Sequence, residues 1–210
     1  MNDELEIRDR ILQKAEEMFI NFGISRVTMD ELAQELGMSK KTVYKYFENK
    51  EHLIKEIIKA KKCENGDVIE KIISDDSLDF IDKLKRLMTH LSEMSKQLRK
   101  PLIDDLTRSY PNIFKNISDF RKNYALAEFE KLIAQGIDEG FFRPDISKEI
   151  VVLVYISAIH AIIVPEVLVT LPLSADQVFK SIIAIIFKGV LSDKGRECLT
   201  KKTPQTATEP

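Results

Sequence analysis

Cysteine is scarce in this chain of 210 residues: Cys63 and Cys198 are far apart and have neither metal nor disulfide spacing. That excludes a disulfide framework and a cysteine-based metal site, and makes a reducing, cytoplasmic compartment the expected address. Histidine is as sparse, and His52, His90 and His160 stand alone. No phosphate loop, nucleophile elbow, carboxylate pair or metal-spaced cluster accompanies them, so the chain is read as no enzyme and as needing no cofactor. The N-terminus, MNDELEIRDR, has charge where an export signal needs an apolar run. The longest apolar segment, Ile150 to Val164, stops at Pro165-Glu166 and is too short to span a bilayer, so no membrane partner is expected. Strand-like alternation and internal repeats are missing too, which leaves an all-α fold of about nine to ten helices.

The net charge of -2 is small but unevenly placed. Residues 1–37 sum to -5, whereas residues 38–62, with eight lysines, sum to +5. The basic stretch coincides with a helix-turn-helix pattern running from Thr28 to Phe47. Thr28 followed by Glu31 is a capping box, and Met29, Leu32, Ala33 and Leu36 fall on one helical face. Gly37 ends that helix, Met38 packs inward at the turn, and Ser39 caps the next helix near Lys40. There Val43 and Phe47 face the core, leaving Lys40, Lys41, Thr42, Tyr44, Lys45 and Tyr46 for phosphates and base edges. Asn49 caps a further helix whose Lys50 and first amides suit a phosphate clamp. The candidate contacts to double-stranded DNA are therefore Thr28, Ser39, Lys40, Lys41, Thr42, Tyr44, Lys45, Tyr46 and Lys50. A solvated lysine face on a plain three-helix core is the bland alternative; agreement of turn, caps and charge favours DNA.

Ala15 to Gly23 (AEEMFINFG), Thr28 to Ala33, Gly37-Met38-Ser39, Val43 to Phe47 and Asn49 to Leu53 together resemble the N-terminal domain of the TetR family of bacterial transcription regulators. The likeness runs from about Arg8 to Ile58, a quarter of the chain. Lys41 departs from the small residue the family often has there, so no operator sequence carries over. The turn Gly140-Phe141-Phe142-Arg143-Pro144 also resembles the family, in which such a turn precedes the last pair of helices.

The resulting division is a DNA-binding domain over 1–50, a linking helix over about 50–62, an effector-binding and dimerisation domain over 63–191, and a disordered tail over 192–210. The linking helix either breaks near Asn65-Gly66 or persists to about Ile73, and Asp75-Asp76-Ser77 caps the helix after it. Further helices are expected over Leu78–Leu98, Pro101–Ser109, Pro111–Ile137, Ser147–Thr170 with a kink or split at Pro165, and Ala175–Leu191. The last two are apolar over more than one face, which a chain of this size cannot bury alone; a second subunit is implied. The resemblance makes that a homodimer joined by a four-helix bundle, with Val178, Ile182, Ile185 and Ile186 as candidate interface residues. It also implies a small-molecule effector. Met88, His90, Met94, Phe120, Tyr124, Tyr155 and His160 are the candidate lining, although such residues on apolar helices more often serve as core. The expected function is a repressor released from a palindromic operator by a largely hydrophobic ligand. The alternative is an effector-independent, structural or protein-recruiting factor with the same DNA-binding head.

Overall fold

A computed structural model describes residues 2–201. Among these residues there are eleven α-helices and a single β-type contact, the isolated bridge between Phe142 and Leu191. The DNA-type head consists of α1 (Asn2–Phe22), α2 (Met29–Glu35) and α3 (Lys40–Tyr46), with the start of α4 (Lys50–Ser74). The local signals of the sequence account for their boundaries. Thr28 and Glu31 exchange both bonds of the capping box, Ser39 accepts the Thr42 N–H at 3.1 Å, and Asn49 accepts the His52 N–H at 2.8 Å. Ile11, Ala15, Phe19, Leu32, Val43, Phe47 and Leu53 form the buried centre of the head.

α4 runs unbroken through Asn65-Gly66 to Ser74, because Tyr124 packs against Gly66 and its hydroxyl donates to the Gly66 carbonyl at 2.7 Å. At its far end the buried Lys83 ammonium donates to the Ile73 carbonyl at 2.8 Å, satisfying a helix terminus that lies inside the molecule. The next helix, α5 (Phe80–Ser95), is capped by Asp79, which accepts the Asp82 N–H at 3.0 Å. The 75–77 segment expected to cap it instead folds on itself, with Asp75 accepting from Ser77.

α6 (Lys100–Arg108) and α7 (Pro111–Asp138) follow, then α8 (Lys148–Ile162), the single turn α9 (Pro165–Leu168) and α10 (Ala175–Val190). Of the kink or split expected at Pro165, the split occurs: α8 ends ahead of the proline, which has no N–H to continue it. Phe80, Leu84, Leu87, Leu132, Phe142 and Leu191 are among the residues at the centre of the second core. Helix α11 (Asp193–Lys201) corrects the expectation of a disordered tail over its residues. Gly195 sits so close to the Phe141 carbonyl that an added Cβ would be 2.2 Å away, and Lys194 donates to the Glu139 carbonyl at 2.7 Å. Tertiary contact therefore holds a segment whose composition reads as unfolded. The rest of the expected tail, 202–210, lies outside the described residues.

The two cores are not separated at residue 50. Ile113 of α7 is buried in the head's core, with Leu102, Leu106, Tyr110 and Ile117 packed around it. Head and body interlock through α6 and the start of α7.

Candidate functional site

The outer face of the head carries Lys41, Tyr44 and Lys45 exposed on α3, with Thr42 and Tyr46 half-covered. Thr28 and Ser39 serve first as N-caps, and the Thr42 hydroxyl lies 2.8 Å from that of Ser39. Two of the lysines are held by acids of the same chain: Lys40 pairs with Asp30, and Lys45 with Glu4 at 2.6 Å. The Lys45–Glu4 pair holds the Glu4 carboxyl below its ordinary value and raises the Lys45 ammonium. Lys50 points elsewhere. Its ammonium is half-buried, 3.4 Å from the Ser25 carbonyl, and burial pushes its pKa down against the pull of Asp105 and Glu31.

Lys50 marks a junction that sequence spacing does not reveal. The turn after α1 needs Gly23, whose φ of +88° is left-handed and whose Cβ, if present, would come within 2.7 Å of an Asp105 oxygen. The Asp105 carboxylate accepts the Ser25 N–H at 2.8 Å, and Arg99 donates to the Asn21 side chain at 2.5 Å. One side of α6 thus holds the α1–α2 turn. On the same helix, Leu102 and Leu106 line a cavity of about 230 Å³.

That cavity lies among α4, α5, α6, α7 and α8, and it brings together Met94, Phe120, Tyr124 and Tyr155. Met88 packs against the body core instead, and His160 lies against Phe114 with ring centroids 6.1 Å apart. His90 does not line the cavity; burial depresses its pKa, against the pull of Glu64. Leu91, Phe129 and Tyr155 also border a second, almost wholly apolar chamber of about 40 Å³. At the opposite end Lys62 and Phe120 stand between the cavity and an open groove. The sequence shows lysines along α4 but not which of them faces the cavity.

On the far side of the body, Val178 and Ile182 are only 4% and 7% exposed, packed in the core of their own chain. Ile186 is half-buried and lines the small chamber, whereas Ile185 is 72% exposed. Ile185 shares an exposed outer face with Ser181 and Gly189 on α10, bordered by Lys188. On α8, Ile150, Val154, Ser157 and Ala161 recur at helical spacing on a second exposed face, with Ile150 57% and Val154 50% open. Sequence periodicity does not separate the inward Val178 and Ile182 from the outward Ile185, because α10 is apolar nearly all round and several faces fit equally well.

No group of His, Cys, Asp and Glu suited to a metal ion occurs among the described residues, and no described helix is long and apolar enough to cross a membrane. The family described as "Bacterial regulatory proteins, tetR family" matches residues 11–57, which span most of α1 through the first turns of α4. An uncharacterized HTH-type transcriptional regulator, YvaF of Bacillus subtilis, is 25% identical over 88% of this chain and 96% of its own. The HTH-type transcriptional repressor KstR2 of Mycolicibacterium smegmatis is 23% identical over 90% of this chain and 92% of its own. Among solved structures, SmeT, the repressor of the Stenotrophomonas maltophilia multidrug efflux pump SmeDEF, shares the fold with a TM-score of 0.63. That alignment has 18% identity and covers 97% of this chain and 96% of SmeT.

Proposed function

We propose that this chain is a helix-turn-helix repressor of the TetR type that binds a palindromic operator as a homodimer and leaves it when a small, largely apolar ligand enters the cavity. The observation that carries this reading is the double role of α6, which lines the cavity with Leu102 and Leu106 and holds the α1–α2 turn with Asp105 and Arg99. A ligand that displaces α6 therefore tilts the head that α6 grips. It acts only as far as it binds the tilted state better than the DNA-bound one.

In this account residues 1–50 are the DNA-binding domain, α4 is the link, and the rest through 191 binds the effector and the second subunit. Lys41, Thr42 and Tyr44 read bases or phosphates from α3; Lys40, Lys45, Tyr46 and the capped helix starts at Thr28 and Ser39 fix its register. Lys50 acts at the junction rather than on phosphate. The exposed apolar residues of α8 and α10, Ile150, Val154 and Ile185, meet their copies across a two-fold axis. Such a dimer spaces two recognition helices by about 34 Å or somewhat more and works in the cytoplasm, where its operator lies. A repressor role is supported by the KstR2 relative, which is described as one.

The test is fluorescence anisotropy of the purified chain on labelled DNA from its own promoter, with and without a library of lipophilic compounds. Nanomolar binding that one compound weakens by at least about fivefold is the expected result. Operator binding that no compound disturbs favours a protein-recruiting factor, and failure to bind any DNA overturns the proposal.

A further inference from the structure

Lysines 55, 59 and 62 recur along α4 at the spacing of one helical face, and Lys61, off that face, borders the cavity beside Lys62. The surroundings of the two neighbours differ. Lys61 is neutralised by Glu16 at 3.2 Å and Glu64 at 2.8 Å. Lys62 has no carboxylate within ion-pairing distance among the described residues. Its ammonium donates to the neutral Asn116 side chain at 2.7 Å and lies 4.7 Å from the centre of the Phe120 ring. Burial lowers its pKa, the sign of a charge partly stripped of water without a counter-charge in return.

Lys62 stands at the mouth of the cavity. Outside it is an open groove of about 580 Å³ that also contains Lys55 and Lys59. Inside, the walls are mainly apolar past Phe120 and Tyr124, whose hydroxyl is already committed to Gly66, and Leu91, Phe129 and Tyr155 border both the cavity and the small chamber. At about 230 Å³ the cavity lies below the ~300–1,000 Å³ usual for ligand sites, which suits a slim chain better than a fused-ring body.

Resting on the ligand-controlled reading above, we infer that the effector is a straight-chain anionic amphiphile, its acyl chain in the cavity and its negative charge at Lys62. The pairing replaces a neutral partner of Lys62 by a charged one in a site partly shielded from water. Two sources supply such a molecule. A free carboxylic acid ends at Lys62 itself, whereas a thioester to a phosphorylated carrier extends its phosphates over Lys55 and Lys59.

The experiment uses the full chain, with dodecanoate, dodecanol and dodecanoyl-coenzyme A as probes, read by calorimetry and by release of operator DNA. Expected is a preference of about tenfold to a hundredfold for an anionic probe over dodecanol. Lys62→Met abolishes that preference while leaving dodecanol binding and ligand-free operator affinity unchanged. Lys62→Arg retains it, and so does Lys61→Met, since Lys61 is already paired. Lys59→Gln weakens the thioester alone and so separates the two sources. Equal binding of dodecanol and both anionic probes, or a preference that survives Lys62→Met, overturns the inference. Release of the operator by an uncharged library compound with no response to either anionic probe overturns it too, while leaving the ligand-controlled repressor standing; release by nothing removes both.

Discussion

At the scale of single residues, the DNA-facing lysines start from occupied states. Lys45 must exchange Glu4 for phosphate, and Lys40 must exchange Asp30. Both pairs are exposed, so the competition is weak and sensitive to salt. Glu4→Gln should therefore bind operator about two- to fivefold more tightly at low ionic strength, with the difference shrinking as salt rises. Anisotropy titrations over a salt series check this, and an unchanged affinity at every salt concentration would remove Lys45 from the interface. The lysines themselves were legible in the sequence, since their density and their place after a glycine turn are local facts. Glu4 was not, because 41 residues separate it from Lys45 and only the packing of α1 beside α3 brings them together.

At the scale of elements, α6 is the short helix on which coupling depends. Its Asp105 holds the Ser25 amide, next to a glycine whose conformation no other residue adopts cheaply. Asp105→Ala should cost about 1–2 kcal/mol in thermal unfolding, as a hydrogen bond to a charged group is lost. More tellingly, it should leave ligand affinity nearly intact while reducing the effect of ligand on operator affinity severalfold. Wild-type coupling in that variant would move the signal from α6 to α4. Helix boundaries such as the Thr28, Ser39 and Asn49 caps were readable because a cap and its amide are three residues apart. The Asp79 cap and α11 were missed for opposite reasons. Near Asp79 several acids compete for one role, and α11 depends on a backbone contact with a turn far back in the chain.

At the scale of the whole molecule, the question is which apolar surface belongs to the chain's own core and which awaits a partner. Ile185→Glu places a charge on an open face and should yield a folded monomer with weakened operator binding. Ile182→Glu places it in the core and should unfold the body, at a cost of about 3 kcal/mol or more. Sedimentation and circular dichroism distinguish the two outcomes. A dimeric Ile185→Glu variant would show that the subunits meet elsewhere.

The all-helical fold and the helix-turn-helix head follow from the order of residues alone. Both rest on signals within a few residues: apolar periodicity, caps three positions apart and a run of lysines beside a turn. The tertiary structure alone decided which lysine lies unneutralised at the cavity mouth, which isoleucines face outward and which helix joins body to head. Those properties depend on residues distant in the chain meeting in space, as Lys62 meets Asn116 and Ser25 meets Asp105, and a helix apolar on every side has no internal mark of which face will be covered.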